Sequence, residues 1–297
     1  MAKILVVGST GQVGSAVALG LTRAEHSVHA LVRHGNENPK SKSLADAGIA
    51  IIPGDLTDRA SLSSACKGME VVITTATSMP TNADDGLRRV DLEGSLAVIE
   101  AADNAGVQRF VYTSYSGNLR VQSPLETAKR TCEQRLLQSR MDAVILRPSY
   151  FMEVWLGPHL GIDIANGQAR VYGSGENKGN YISAADVAAF AIAAATRNQS
   201  GKHIVEMGGP EVLSQLDAIK IIGEHAGREM HLTFIPLEAL EQQYASAADP
   251  LQKTFGALML GYAKGDRITD AERNAREYGV KLTSLRDVLK RQRAQAA

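Results

Sequence analysis

The chain has 297 residues, 44% apolar and 22% charged, which suits a folded globular protein with room for one large domain or a large and a small one. Lys plus Arg and Asp plus Glu balance at 32 each, so no overall field draws the chain to nucleic acid or to a membrane surface. The apolar stretch 184–196 contains Asp186 and is too short for a membrane span, and Cys66 and Cys132 stand in no metal-binding or disulfide pattern.

Met1-Ala2-Lys3 runs straight into an apolar segment with no signal-peptide layout, so a reduced, cytoplasmic setting is expected, with both cysteines packed as small apolar residues. Short, nearly all-apolar runs at 4–7, 28–32, 49–52, 71–74, 109–113 and 144–146 predict strands covered on both faces of a parallel sheet. Helical patterns lie between them, notably at 84–105, stopped by Asn104-Ala105-Gly106, and at 124–139. This alternation predicts a Rossmann-type, doubly wound α/β domain over residues 1–150. Beyond Arg147 the pattern loosens and glycines punctuate it. Helices are expected at 184–196, 214–226 and beyond 237, and strands at 203–206 and 231–234. Residues 151–297 are therefore expected to form a smaller C-terminal α/β substrate-binding region, with a soft boundary and some interleaving. The basic tail Lys290-Arg291-Gln292-Arg293 reads as the solvated end of a helix.

The most informative segment is the first turn. Lys3-Ile4-Leu5-Val6-Val7 leads at once into Gly8-Ser9-Thr10-Gly11-Gln12-Val13-Gly14 and then a helical pattern, the context that a dinucleotide fingerprint needs. Gly8 allows the tight turn, Gly11 lets backbone N–H groups reach a pyrophosphate at the helix N-terminus, and Gly14 lets the helix pack close on the sheet. The second strand then ends in Arg33, where an enzyme that prefers NAD carries an acid for the ribose 2′-hydroxyl. With His34, Lys40 and Lys42 nearby, the guanidinium suits a 2′-phosphate, so NADPH is the expected cofactor. After the third strand, Asp55 is placed to accept from an adenine amino group with Leu56 against the ring. The alternative for Asp55 is a helix cap for the stretch that begins near Asp58.

Taken with 109–117 (RFVYTSYSG), 145–153 (ILRPSYFME), 182–195 and 201–230, these motifs resemble the atypical short-chain dehydrogenases, and within them the NmrA-like or quinone-oxidoreductase-like NAD(P)-binding proteins. The resemblance implies that Gly8, Thr10, Gly11, Gln12, Val13 and Gly14 line the pyrophosphate and that Arg33 holds the 2′-phosphate. It further implies that Asp55 and Leu56 hold adenine and that Thr75, Ala76 and Thr77 pass under the adenosine. Lys129 would reach the nicotinamide ribose, and the turn Pro148-Ser149-Tyr150-Phe151 would sit by the carboxamide. The wider superfamily pairs a tyrosine with the lysine four residues on. Here that position is Leu125, which cannot shuttle a proton, and Thr113, Ser114, Tyr115 and Ser116 all compete for the place of the strand-end serine.

These features predict an NADPH-dependent reductase of a small, flat, electron-poor compound such as a quinone, with Lys129 as the side chain that matters most for turnover. Hydride arriving at a quinone leaves a stabilised phenolate that takes its proton from water, whereas a ketone needs a positioned acid. Tyr115, Tyr150 and Trp155 are candidates to face the substrate; the alternative for them is core packing. For Lys129 the alternative is a solvated helix face, paired with Glu133. A second reading is a sensor that binds NADP(H) and regulates a protein without turnover, and a third, weaker one an epimerase or dehydratase of nucleotide-linked sugars. No nucleic-acid, membrane or metal partner is expected; the reading leaves room for a homodimer and, for a sensor, a regulatory protein.

Overall fold

The computed structural model describes residues 1–37, 39–81 and 85–296. Its strands in chain order are β1 (Lys3–Val7), β2 (Ser27–Val32), β3 (Ala50–Pro53), β4 (Val71–Thr74), β5 (Arg109–Thr113), β6 (Asp142–Pro148), β7 (Ile162–Asp163), β8 (Gln168–Tyr172), β9 (Lys178–Gly179), β10 (Lys202–Met207), β11 (Leu213–Ser214) and β12 (His231–Ile235). The first five helices named here are α1 (Gln12–Arg23), α2 (Ser41–Asp46), α3 (Arg59–Cys66), α4 (Ser95–Asn104) and α5 (Pro124–Leu137).

One seven-stranded sheet runs β10-β6-β5-β4-β1-β2-β3. The pairings of β1 with β2 and β4, of β2 with β3, and of β5 with β4 and β6 are all parallel. This is the doubly wound Rossmann order, and it makes the fold α/β as the alternation of runs predicts. β1 is the central strand at which the winding reverses, so the carboxyl ends of β1 and β4 frame the crevice where ligands of such sheets bind. The apolar runs form the sheet because both faces are covered: Ile4, Leu5, Val6, Val72 and Ile73 have no exposed surface.

Two elements differ from expectation. The run around 203–206, assigned to the C-terminal region, is β10, the edge strand of the main sheet beside β6. The long helical pattern at 84–105 is two pieces, a π-helix at Leu87–Gly94 and then α4; its expected first residue, Asp84, lies outside the described residues. π-Helical turns are wider than α-helical ones and recur at functional sites.

The chain forms two compact units, interleaved in sequence beside the expected boundary at 150. The first comprises Met1–Ser114, Pro124–Leu146 and Ala188–Val205; the second comprises Tyr115–Ser123, Arg147–Val187 and Glu206–Ala297. In the first, the apolar faces of α3, α4 and α5 close over the sheet, and Cys66 and Cys132 pack there as free thiols. The second contains the small sheet β12-β8-β7 and a core rich in tyrosine. No helix among the described residues is long and apolar enough to cross a membrane.

Candidate functional site

The three glycines of the first loop do different jobs. Gly8 has φ +82°, and a Cβ there would lie 2.8 Å from Ala76 N and 2.9 Å from Thr75 Oγ1. A Cβ on Gly14 would lie 2.1 Å from Gly8 O. Both positions are demanded by the protein's own backbone. Gly11 is not: its N–H donates to Gly8 O at 3.0 Å, and its Cβ would meet only that same oxygen, at 3.3 Å. Gly11 also caps α1 with no side-chain bond and with no acidic residue in the first turn, so the helix leaves N–H donors for an anion. A cleft of about 370 Å³ opens there, lined by Ser9, Thr10, Gly11, Gln12, Ser15, Lys40, Ser43 and Leu44. Gln12 is exposed and Thr10 and Val13 half-buried. Lys40 stands over the loop with Nζ 3.4 Å from Thr10 O. The turn after β4 lies directly beneath, with Thr75 N donating to Val7 O at 3.0 Å.

Arg33 is exposed at the end of β2. Asp55 accepts from both Thr57 N and Thr57 Oγ1 at 2.7 Å. Burial acts to raise its pKa; the two Thr57 bonds and the Arg33 and Arg89 charges outweigh it and hold the carboxyl below its usual value. The helix that follows is capped by Asp58, whose side chain accepts from Ala60 N, so capping is not the work of Asp55. Leu56 is half-buried against the core of the first unit, and Ala76 and Thr77 leave β4 half-buried and exposed respectively.

Lys129 is not on a solvated face: it is 5% exposed. Its Nζ donates to Thr113 O at 3.2 Å, at the carboxyl end of β5, lies 3.9 Å from Asp91 Oδ1, and sits 5.1 Å from the centre of the Tyr112 ring. Glu133 is occupied elsewhere, accepting from Ser114 Oγ at 2.5 Å and from Arg130 Nη1 at 2.6 Å. Among the described residues, Thr113 O is the hydrogen-bond acceptor of the ammonium, which leaves N–H capacity for a ligand. Thr113 Oγ1 and Asp91 Oδ1 are buried beside it without hydrogen-bond partners. The buried Lys129–Asp91 pair adds little net stability because desolvation offsets attraction, but leaving either charge alone costs about 3–5 kcal/mol. Leu125, one turn earlier, is buried core.

Asp91 escaped the sequence reading. The available signal is a carboxylate in register with Leu87 and Ser95, both buried, on the inward face of that segment. In the second unit, Tyr150 and Trp155 join Tyr262, another residue the sequence did not single out, with ring centroids 4.3–5.1 Å apart. Burial, and then the Asp266 charge, pushes the Tyr150 phenol well above its ordinary value, so it stays protonated and a weak acid. Tyr115 packs half-buried against the same core. Pro148 O accepts from Ser116 N at 2.9 Å, and Phe151 caps the short helix Met152–Trp155.

The open cradle at Gly11, the bare helix end and the unspent hydrogen bonds around Lys129 fit a dinucleotide. A model of the NmrA-like family matches residues 1–265. The chain belongs to the NmrA-like family. It is 27% identical over 239 residues to the photosystem II assembly factor Ycf39 of Cyanophora paradoxa, covering 80% of this chain and 73% of that one. It is 28% identical over 250 residues to an NAD(P)H azoreductase of Xenophilus azovorans, covering 83% of this chain and 82% of that one. Among solved structures, the NADPH-dependent quinone oxidoreductase of Escherichia coli in complex with NADPH superposes with a TM-score of 0.79 at 23% identity, over 97% of this chain and 99% of that one. That likeness is one of fold.

Proposed function

We propose that the chain is a cytoplasmic, NADPH-dependent reductase of a small electron-poor compound such as a quinone. The observation that carries this reading is the buried Lys129 ammonium, which keeps N–H donors free at the carboxyl end of β5 while Leu125 stands where a proton donor would serve. A lysine on a solvated face needs no counter-charge beneath it; this one is set to hold a ligand's hydroxyl groups. The azoreductase relative supports a reductase.

NADPH supplies the hydride when bound. In the chain's own part, the N–H groups of Gln12 and Val13 at the bare helix end receive the pyrophosphate, with Gly8, Thr10, Gly11 and Gly14 shaping the cradle. Arg33 takes the 2′-phosphate, Asp55 and Leu56 the adenine, and Thr75 to Thr77 the adenosine. Lys129 fixes the nicotinamide ribose, and Pro148 and Phe151 are assigned to the carboxamide. Tyr115, Tyr150 and Trp155 are assigned to the substrate. No side chain at position 125 delivers a proton, which favours a substrate whose reduced form takes one from water.

The test is consumption of NADPH with a panel of quinones and azo compounds, in wild-type protein and Lys129→Met. Turnover that falls strongly in the variant, with NADPH binding only modestly weaker, bears the reading out. A second reading, an NADP(H)-binding sensor that regulates a protein partner, draws on the assembly-factor relatives and on Leu125. Tight NADPH binding with no turnover across the panel would favour it.

A further inference from the structure

The inference drawn here rests on the reading above and deepens it. Asp91 has no exposed surface. Its two carboxylate oxygens do separate work: Oδ2 accepts from Ser78 N at 2.9 Å and Ser78 Oγ at 2.6 Å, while Oδ1 has no hydrogen bond and faces Lys129 Nζ at 3.9 Å. Ser78 follows directly on Thr75, Ala76 and Thr77. We infer that Asp91 is a positioning residue, which anchors the turn after β4 with one oxygen and sets the Lys129 ammonium by charge with the other.

A gap of 3.9 Å is wider than a hydrogen bond, so the attraction holds the lysine in place without consuming its N–H donors. A direct bond would have spent one of them. The other groups facing the ammonium do not replace Asp91. The Tyr112 ring lies 5.1 Å away, and the Cys132 thiol is pushed up by burial first of all, which keeps it neutral. Glu133 is the remaining acid, and its carboxylate is engaged by Arg130 and Ser114. Asp91 is therefore the counter-charge of Lys129, supplied from the π-helix Leu87–Gly94.

The experiment is a double-mutant cycle on the full chain: wild type, Asp91→Asn, Lys129→Met and the double variant, each measured for melting temperature without cofactor and for NADPH affinity by calorimetry. Asparagine keeps the shape and an acceptor for Ser78 but removes the charge. Asp91→Asn is expected to lower the melting temperature and to weaken NADPH binding by no more than Lys129→Met does, since it acts on the cofactor only through the lysine. Adding Lys129→Met should recover part of the melting temperature, because no unpaired ammonium remains buried, and the double variant should bind NADPH as Lys129→Met alone does. If Asp91→Asn fails to fold while the double variant folds, the coupling is seen at its extreme. Additive effects, failure of both variants to fold, or a Ser78→Ala variant that reproduces the whole loss would overturn the positioning role. Wild-type protein that binds no NADPH would overturn the reductase reading and this role with it; wild-type binding with additive effects would overturn this role alone.

Discussion

The phosphate loop and the lysine site lie on the same sheet edge, yet they are built in opposite ways. The loop is local. Seven consecutive residues make it, and Gly8 and Gly14 are fixed by contacts with one another and with the turn at Thr75 and Ala76. The lysine site is assembled from afar: Ser78 after β4, Asp91 from the π-helix, Thr113 from the end of β5 and Lys129 from α5. Local geometry makes the loop tolerant of nothing at two glycines and permissive at the third. The remote assembly makes Lys129 depend on a charge that no neighbour in sequence announces.

The sharpest way to break this contrast is at the glycines. Gly14→Ala places a Cβ 2.1 Å from a backbone oxygen that has nowhere to go. Overpacking of this kind costs about 1–3 kcal/mol and sometimes more, and the upper end is expected here. Urea denaturation of Gly14→Ala against wild type measures it; a loss no larger than that of Gly11→Ala would dissolve the distinction between the two positions.

Arg33→Ala is expected to act on binding and leave the fold alone, since the side chain is exposed. Loss of one charge-assisted contact to a 2′-phosphate, about 1.5–3 kcal/mol, should erase a preference for NADPH over NADH of roughly ten- to a hundredfold. Fluorescence titration with both cofactors reads it, and an unchanged preference in the variant would move the 2′-phosphate to another cation. The smallest effect belongs to Asp58, the observed cap of α3. Asp58→Ala should cost about 1 kcal/mol of stability with cofactor binding intact, measured by thermal unfolding, while Asp55→Ala should show the reverse weighting.

The same contrast explains what the sequence disclosed. Strands β1, β2, β4, β5 and β6 were legible because burial on both faces favours unbroken apolar runs, the edge strand β3 because its run stays apolar although its two ends are exposed, and the loop because its glycines follow a strand and open a helix. β10 was assigned to the wrong region because nothing in its own residues reveals that the chain returns to the sheet beside β6. Asp91 was hidden for a different reason. A lone acid between Arg88, Arg89 and Glu93 reads as the solvated side of a helix, and only its four-residue spacing from Leu87 and Ser95 marks it as inward. Lys129 was picked out by resemblance and spacing, but its burial and its partner needed the fold.

Whether the Gly8–Gly14 loop holds the pyrophosphate of NADPH is decided by calorimetric titration of NADPH into wild-type protein and Gly11→Val. Around Gly11 the protein offers a new side chain only one close neighbour, Gly8 O, so the variant should keep its circular dichroism spectrum. Its branched side chain would occupy the place of the phosphates. Clear binding to the wild type and none to the folded variant is the expected result. Undiminished binding by folded Gly11→Val would contradict it and reduce the loop to a turn.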